Sequence, residues 1–90
     1  MNNEKIKSLI MNELKLKKVY VTGDDNHIKI VAVGERFNGI SPVKRQQIVY
    51  KPLIQMIKDK HIHAVSIFSY TLDEWRKINN SKDIKVKKFI

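Results

Sequence analysis

Ile6, Leu9, Ile10 and Leu14 recur at the three- and four-residue spacing of one helix face, with Glu13 the one polar member of the stripe. Asn3 stands where an N-cap is expected. The period then shortens. Val19-Tyr20-Val21-Thr22 reads as a short strand, Gly23-Asp24-Asp25-Asn26 as a turn, and the β-branched run Ile28–Val33 as the second strand of a hairpin ended by Gly34. Residues 35–41 form a loop. Ser41-Pro42 then supplies a cap and a proline at the first helical position, predicting a helix through Val43 to about Tyr50. Pro52 should kink or end it, because proline removes a donor and clashes with the preceding turn. Leu53, Ile54, Met56 and Ile57 resume the helical period to about Lys60.

Ile62–Tyr70 reads as a third strand. Thr71-Leu72-Asp73-Glu74 has the form of a capping box, flanked by Tyr70 and Trp75 at the two staple positions, and predicts a final helix of about two turns. The resulting order is α-β-β-α-α-β-α. A lone strand after two helices must rejoin the hairpin, since it cannot stand alone. The expectation is an α+β domain with one three-stranded mixed sheet and helices on one face. Residues 1–80 form that single domain, and 81–90 are expected as a flexible basic C-terminal tail.

Composition narrows the chemistry. Cysteine is absent, which excludes disulfides, thiolate nucleophiles, all-cysteine zinc sites and an iron–sulfur cluster held by this chain alone. No apolar run approaches a membrane span, and the charged N-terminus lacks the form of a secretory signal, so a cytoplasmic location is the default expectation. The net charge of +9 invites a polyanion partner. However, only three of the 18 basic residues are arginine, and Lys, Ile and Asn together make 35 of 90 residues. Those three amino acids have A/T-rich codons, so base composition alone can produce the charge. No nucleophile, base and pocket assemble from the sequence, and no enzymatic activity is expected.

Three histidines remain. Alternation places His61 and His63 on one strand face with Val65 and Ile67. Read alone, His63 is more simply an exposed polar residue at a strand start than a metal ligand, and no further ligand lies near in sequence. His27 ends the hairpin turn and reads first as a solvated loop residue. Glu74 is accounted for by the capping box. Gly23, Gly34 and Gly39 do not make the Gly-x-x-Gly clamp of a KH domain.

Several stretches together carry a family resemblance. They are Asn26-His27-Ile28-Lys29-Ile30, Gly34-Glu35-Arg36-Phe37-Asn38-Gly39, Val43 through Tyr50, Ile62-His63-Ala64-Val65-Ser66-Ile67 and Tyr70-Thr71-Leu72-Asp73-Glu74-Trp75. Over about residues 4–77 the chain resembles the BolA-like family, and within it the short bacterial branch of the IbaG or YrbA type. The resemblance implies a fold similar to a class II KH domain without the glycine clamp. It implies a heterodimer with a monothiol glutaredoxin in which a 2Fe-2S cluster is shared. The partner's cysteine and glutathione hold part of that cluster, and the His of Ile-His-Ala, here His63, holds another position. No cofactor is then expected on the isolated chain, which would be a monomer or weak dimer. Many family members carry a second ligand in a longer loop between the first two strands. Here that loop is short and holds Asp24 or Asp25 at the matching place, which leaves His27 as the nearby imidazole and a possible second ligand. Some family members are described as DNA-binding regulators of morphology and stress. That alternative would use the loop and helix around Lys44 and Arg45, with the tail lysines Lys82, Lys85, Lys87 and Lys88.

Overall fold

The first helix forms where the stripe predicts it. The computed structural model describes residues 3–60 and 62–80, and α1 spans Asn3–Leu14, burying Ile6, Ile10 and Leu14 while Glu13 stays exposed. Asn3 is not a cap. It lies within the helix, and its side-chain amide donates to the Gly23 carbonyl at 3.2 Å, tying the start of α1 to the end of the first strand. The remaining elements are β1 (Lys18–Gly23), β2 (Ile28–Val33), α2 (Pro42–Tyr50), α3 (Ile54–Lys60), β3 (Val65–Tyr70) and α4 (Leu72–Asn80), with short 3-10 turns at Glu35–Phe37 and Lys51–Leu53. Ser41 caps α2 by accepting from the Lys44 N–H, and Pro52 sits in the second 3-10 turn, dividing α2 from α3 as proline chemistry requires. His61 and the expected tail 81–90 lie outside the described residues. No described helix is long and apolar enough to cross a membrane.

The sheet has the order β1-β2-β3, with β1 antiparallel and β3 parallel to the central β2. A parallel neighbour needs a long crossover, and α2 and α3 provide it. Register places Gly23, Ile28 and Val65 in one row, Thr22, Lys29 and Ser66 in the next, and Tyr20, Val31 and Phe68 two rows beyond that. On one face Val19, Ile28, Ile30 and Ala32 pack with Ile6, Ile10, Phe37, Val49 and Leu53. Phe37 is fully buried there, which contributes on the order of 1.5–3 kcal/mol relative to exposure.

The expectation of helices on one face is corrected by α4. Val31, Val33 and Trp75 form a second buried cluster with Phe68, Tyr70, Leu72 and Ile78 around it. Both faces of β2 are therefore covered, and Ile30 through Val33 are buried in succession. A continuous apolar run without alternation is the signature of such a strand. The capping box aims α4: Glu74 N–H donates to Thr71 Oγ1 at 3.1 Å, and Thr71 N–H donates to Glu74 Oε1 at 2.8 Å. The staple closes with the Tyr70 and Trp75 rings 5.5 Å apart.

Candidate functional site

The β1–β2 turn is built from one short carboxylate and one glycine. Gly23 has φ +102°, which L side chains rarely adopt. Asp24 Oδ1 accepts from the Asn26 N–H at 3.0 Å and the His27 N–H at 3.4 Å, the aspartate-turn geometry that this residue favours. The Asp24 and His27 main chains also bond each other reciprocally, at 3.1 and 3.2 Å. The Asp24 carboxylate is thus engaged in holding the turn.

The approach to β3 is fixed residue by residue. Ile62 N–H closes the end of α3 on the Ile57 carbonyl at 3.2 Å, His63 N–H donates to the Asp25 carbonyl at 3.1 Å, and the Ala64 carbonyl accepts from Ile28 N–H at 3.0 Å. The strand itself begins at Val65, not at Ile62. Alternation from Val65 back to His63 therefore does not hold. Ile62 packs against the core beside Val65 and Ile67, while His63 is exposed. The sequence pattern misses this because residues 62–64 bond in turn to a helix end, a turn and a strand.

These bonds bring the two sequence-predicted histidines to one end of the sheet. His63 hangs from the Asp25 carbonyl, and His27 follows in the same turn. The His27 ring is held as well, with Nε2 2.6 Å from Ser66 Oγ across the β2–β3 pair. Ser66 was not a sequence candidate. Its signal is a hydroxyl at a half-buried position in an otherwise apolar strand start. Among the described residues no group of three or more histidine, cysteine or carboxylate side chains converges. Two imidazoles without a thiolate fit part of a cluster's ligand set and not the whole of it.

Lys44 and Arg45 stand elsewhere, on α2. Arg45 meets the opposite end of β3 from the histidines: its guanidinium donates to the Ile40 carbonyl at 2.8 Å, the Ser69 carbonyl at 3.4 Å and Glu74 Oε1 at 2.7 Å, and its side chain is only 12% exposed. It clamps α2 to the β3–α4 junction. With Gln46, which donates to the Ile67 carbonyl at 3.5 Å, it also covers the outer edge of β3. Lys44 is exposed and lines a shallow groove of about 520 Å³ with Ile40, Ile48 and Lys51.

Glu74 has a second role beyond the capping box. The hydrogen bond from Arg45 foremost, then that from Thr71, holds its carboxyl below the usual carboxylate range. Burial, and then the Glu74 charge, push the Tyr70 phenol up. Because the Glu74 value is depressed by folding, its contribution is present above the ordinary carboxylate range and is lost as pH falls through the lowered value. The side chain is 46% exposed, so solvent screening keeps the contribution small. Glu74→Gln, which keeps a capping-box side chain, should flatten the fall in urea midpoint between about pH 5 and pH 3. An unchanged slope would show that the Arg45–Glu74 pair does not couple folding to protonation.

Residues 4–74 match the BolA family model, described as BolA-like protein. The chain is 52% identical over 82 residues to the acid stress protein IbaG of Escherichia coli K12, covering 88% of this chain and 98% of that one. It is 37% identical over 70 residues to the DNA-binding transcriptional regulator BolA of Vibrio cholerae, covering 78% and 64%. Among solved structures, BolA1 from Arabidopsis thaliana superposes with a TM-score of 0.73 at 26% identity, covering 82% of this chain and 96% of that one.

Proposed function

The chain belongs to the BolA-like family, and on that premise we propose that it is a non-enzymatic adaptor that joins a monothiol glutaredoxin and shares a 2Fe-2S cluster with it, in cluster assembly, trafficking or iron and stress signalling. The observation that carries the reading is the incomplete ligand set. Two exposed histidines are tethered to one end of the sheet in a chain with no cysteine. A partner has to supply thiolates before any iron–sulfur cluster can be held. His63 offers an imidazole on a backbone fixed from both sides, and the His27 ring lies in the turn that fixes it. Imidazole in place of thiolate raises a cluster's reduction potential. The chain's part is to bind the partner and present a neutral imidazole to the cluster.

Mixing the chain with a monothiol glutaredoxin, iron, sulfide and glutathione tests this. The expected result is a heterodimer on a sizing column whose visible absorption and circular dichroism differ from those of the glutaredoxin alone. A spectrum identical to the glutaredoxin's own, with no heterodimer, would overturn the reading.

A DNA-binding role is the second reading, favoured by the name of the Vibrio relative and by the +9 charge. Exposed Lys44 remains available to it, whereas Arg45 is engaged within the fold. Charge alone gives sequence-indifferent binding that weakens steeply with salt. Titrations on several DNA sequences should therefore give equal affinities that collapse near physiological salt. A preferred sequence that survives there would favour the regulator over the adaptor.

A further inference from the structure

His27 is an exposed residue held unusually firmly. Its N–H donates to the Asp24 carbonyl, its carbonyl accepts from Asp24 N–H, and its ring Nε2 lies 2.6 Å from Ser66 Oγ. A solvated loop histidine needs none of these restraints, and fixing an exposed ring lowers its rotamer freedom at a free-energy cost. The hydrogen bond made by one ring nitrogen decides what the other can do. Nε2 is occupied by Ser66, so only Nδ1 is left to meet a ligand.

We propose that Ser66 is a positioning residue for His27: its hydroxyl accepts from Nε2–H, fixes that tautomer, and leaves the Nδ1 lone pair as the ligating atom. This rests on the shared-cluster reading for its use, but not for its geometry. A hydroxyl can donate or accept, and the two arrangements have opposite consequences for Nδ1. If Ser66 donated to Nε2, then Nδ1 would carry the proton and could not ligate in the neutral ring. Ser66 is the anchored member of the pair, and His27 is the one whose ring it can orient. Ser66 sits in β3, paired in register with Lys29 of β2, whereas His27 lies in the turn. Partners of this kind orient metal-binding imidazoles, and losing one typically weakens metal binding about 10- to 100-fold.

The test begins with the isolated chain, without iron or partner. With histidine labelled isotopically in the ring nitrogens and the sample mildly alkaline, proton–nitrogen correlation spectra should show His27 in the Nε2–H form. Ser66→Ala should turn this into a mixture of tautomers, and Ser66→Thr, which keeps the hydroxyl, should restore the single form. Finding Nδ1–H in the unmodified chain would overturn the proposal, as would an unchanged tautomer in Ser66→Ala. In the complex with glutaredoxin, Ser66→Ala should speed loss of the cluster to a chelator about 10- to 100-fold, with Ser66→Thr close to the unmodified rate. Equal rates for all three chains would overturn Ser66 as a positioning residue. Failure to form any heterodimer would instead count against the adaptor reading, and the tautomer result would still decide the hydrogen bond.

Discussion

Replacing His63 by alanine should abolish the distinctive visible spectrum of the complex with a monothiol glutaredoxin while leaving the isolated chain folded. The tie that fixes residue 63 is its backbone N–H to the Asp25 carbonyl, and alanine keeps it. The imidazole is exposed, so its removal should change folding stability by no more than about 0.5 kcal/mol. The same change deletes the one ligand the family resemblance assigns. Far-ultraviolet circular dichroism and a urea midpoint on the isolated variant, set beside the visible spectrum of the mixture, separate the two effects. His61→Ala should leave that spectrum nearly unchanged. A His63→Ala chain that gave the full spectrum, with His61→Ala the damaging change, would show that the ligand was placed on the wrong histidine.

Gly23→Ala should have the largest effect on the fold and should disable the site with it. A side chain at this φ is strained by about 1–3 kcal/mol on its own. A Cβ there would also strike the His27 carbonyl oxygen, with the Ile28 Cα at 3.3 Å. These obstacles are backbone atoms and cannot swing aside, so the turn has to open. Opening it breaks the Asp24–His27 pair, shifts the Asp25 carbonyl that holds His63, and moves the Gly23 carbonyl away from Asn3. Each kcal/mol lost lowers the melting temperature of a domain this size by roughly 4–8 °C. Thermal unfolding should show a drop at the upper end of what the backbone strain predicts, and the glutaredoxin complex should lose its spectrum. A Gly23→Ala chain with an unchanged melting temperature would mean that the turn is not held in this conformation. Gly39 is a useful contrast. Its φ is +72°, but a Cβ there meets nothing within 4 Å, so only the backbone strain should be felt.

Much of this was legible along the chain because the signals were local. Ser41-Pro42 starts a helix and Pro52 divides one through the chemistry of a single ring. Thr71 and Glu74 cap α4 through atoms three residues apart. What was missed depended on neighbours distant in sequence. The beginning of β3 is set by bonds from residues 62–64 to Ile57, Asp25 and Ile28, which period-two alternation cannot report. Covering both sheet faces depends on where α4 folds back, although the unbroken run Ile30–Val33 already carried that information. At the site, the histidines were visible as residue types. Ser66, 39 residues from His27, was not. Arg45 read as a surface cation because its three acceptors, Ile40, Ser69 and Glu74, meet only in the folded chain.

The most direct measurement concerns the nitrogen that this chain is held to contribute. The chain is grown with histidine labelled isotopically in its ring nitrogens and assembled with unlabelled glutaredoxin, iron, sulfide and glutathione. The complex is then reduced and its nitrogen hyperfine couplings are recorded by pulsed electron paramagnetic resonance. The predicted result is a coupling strong enough for a directly bound imidazole nitrogen, changed by the isotope, with the His63 component lost in His63→Ala. An intact cluster whose spectrum shows no directly bound nitrogen from this chain would contradict a shared site.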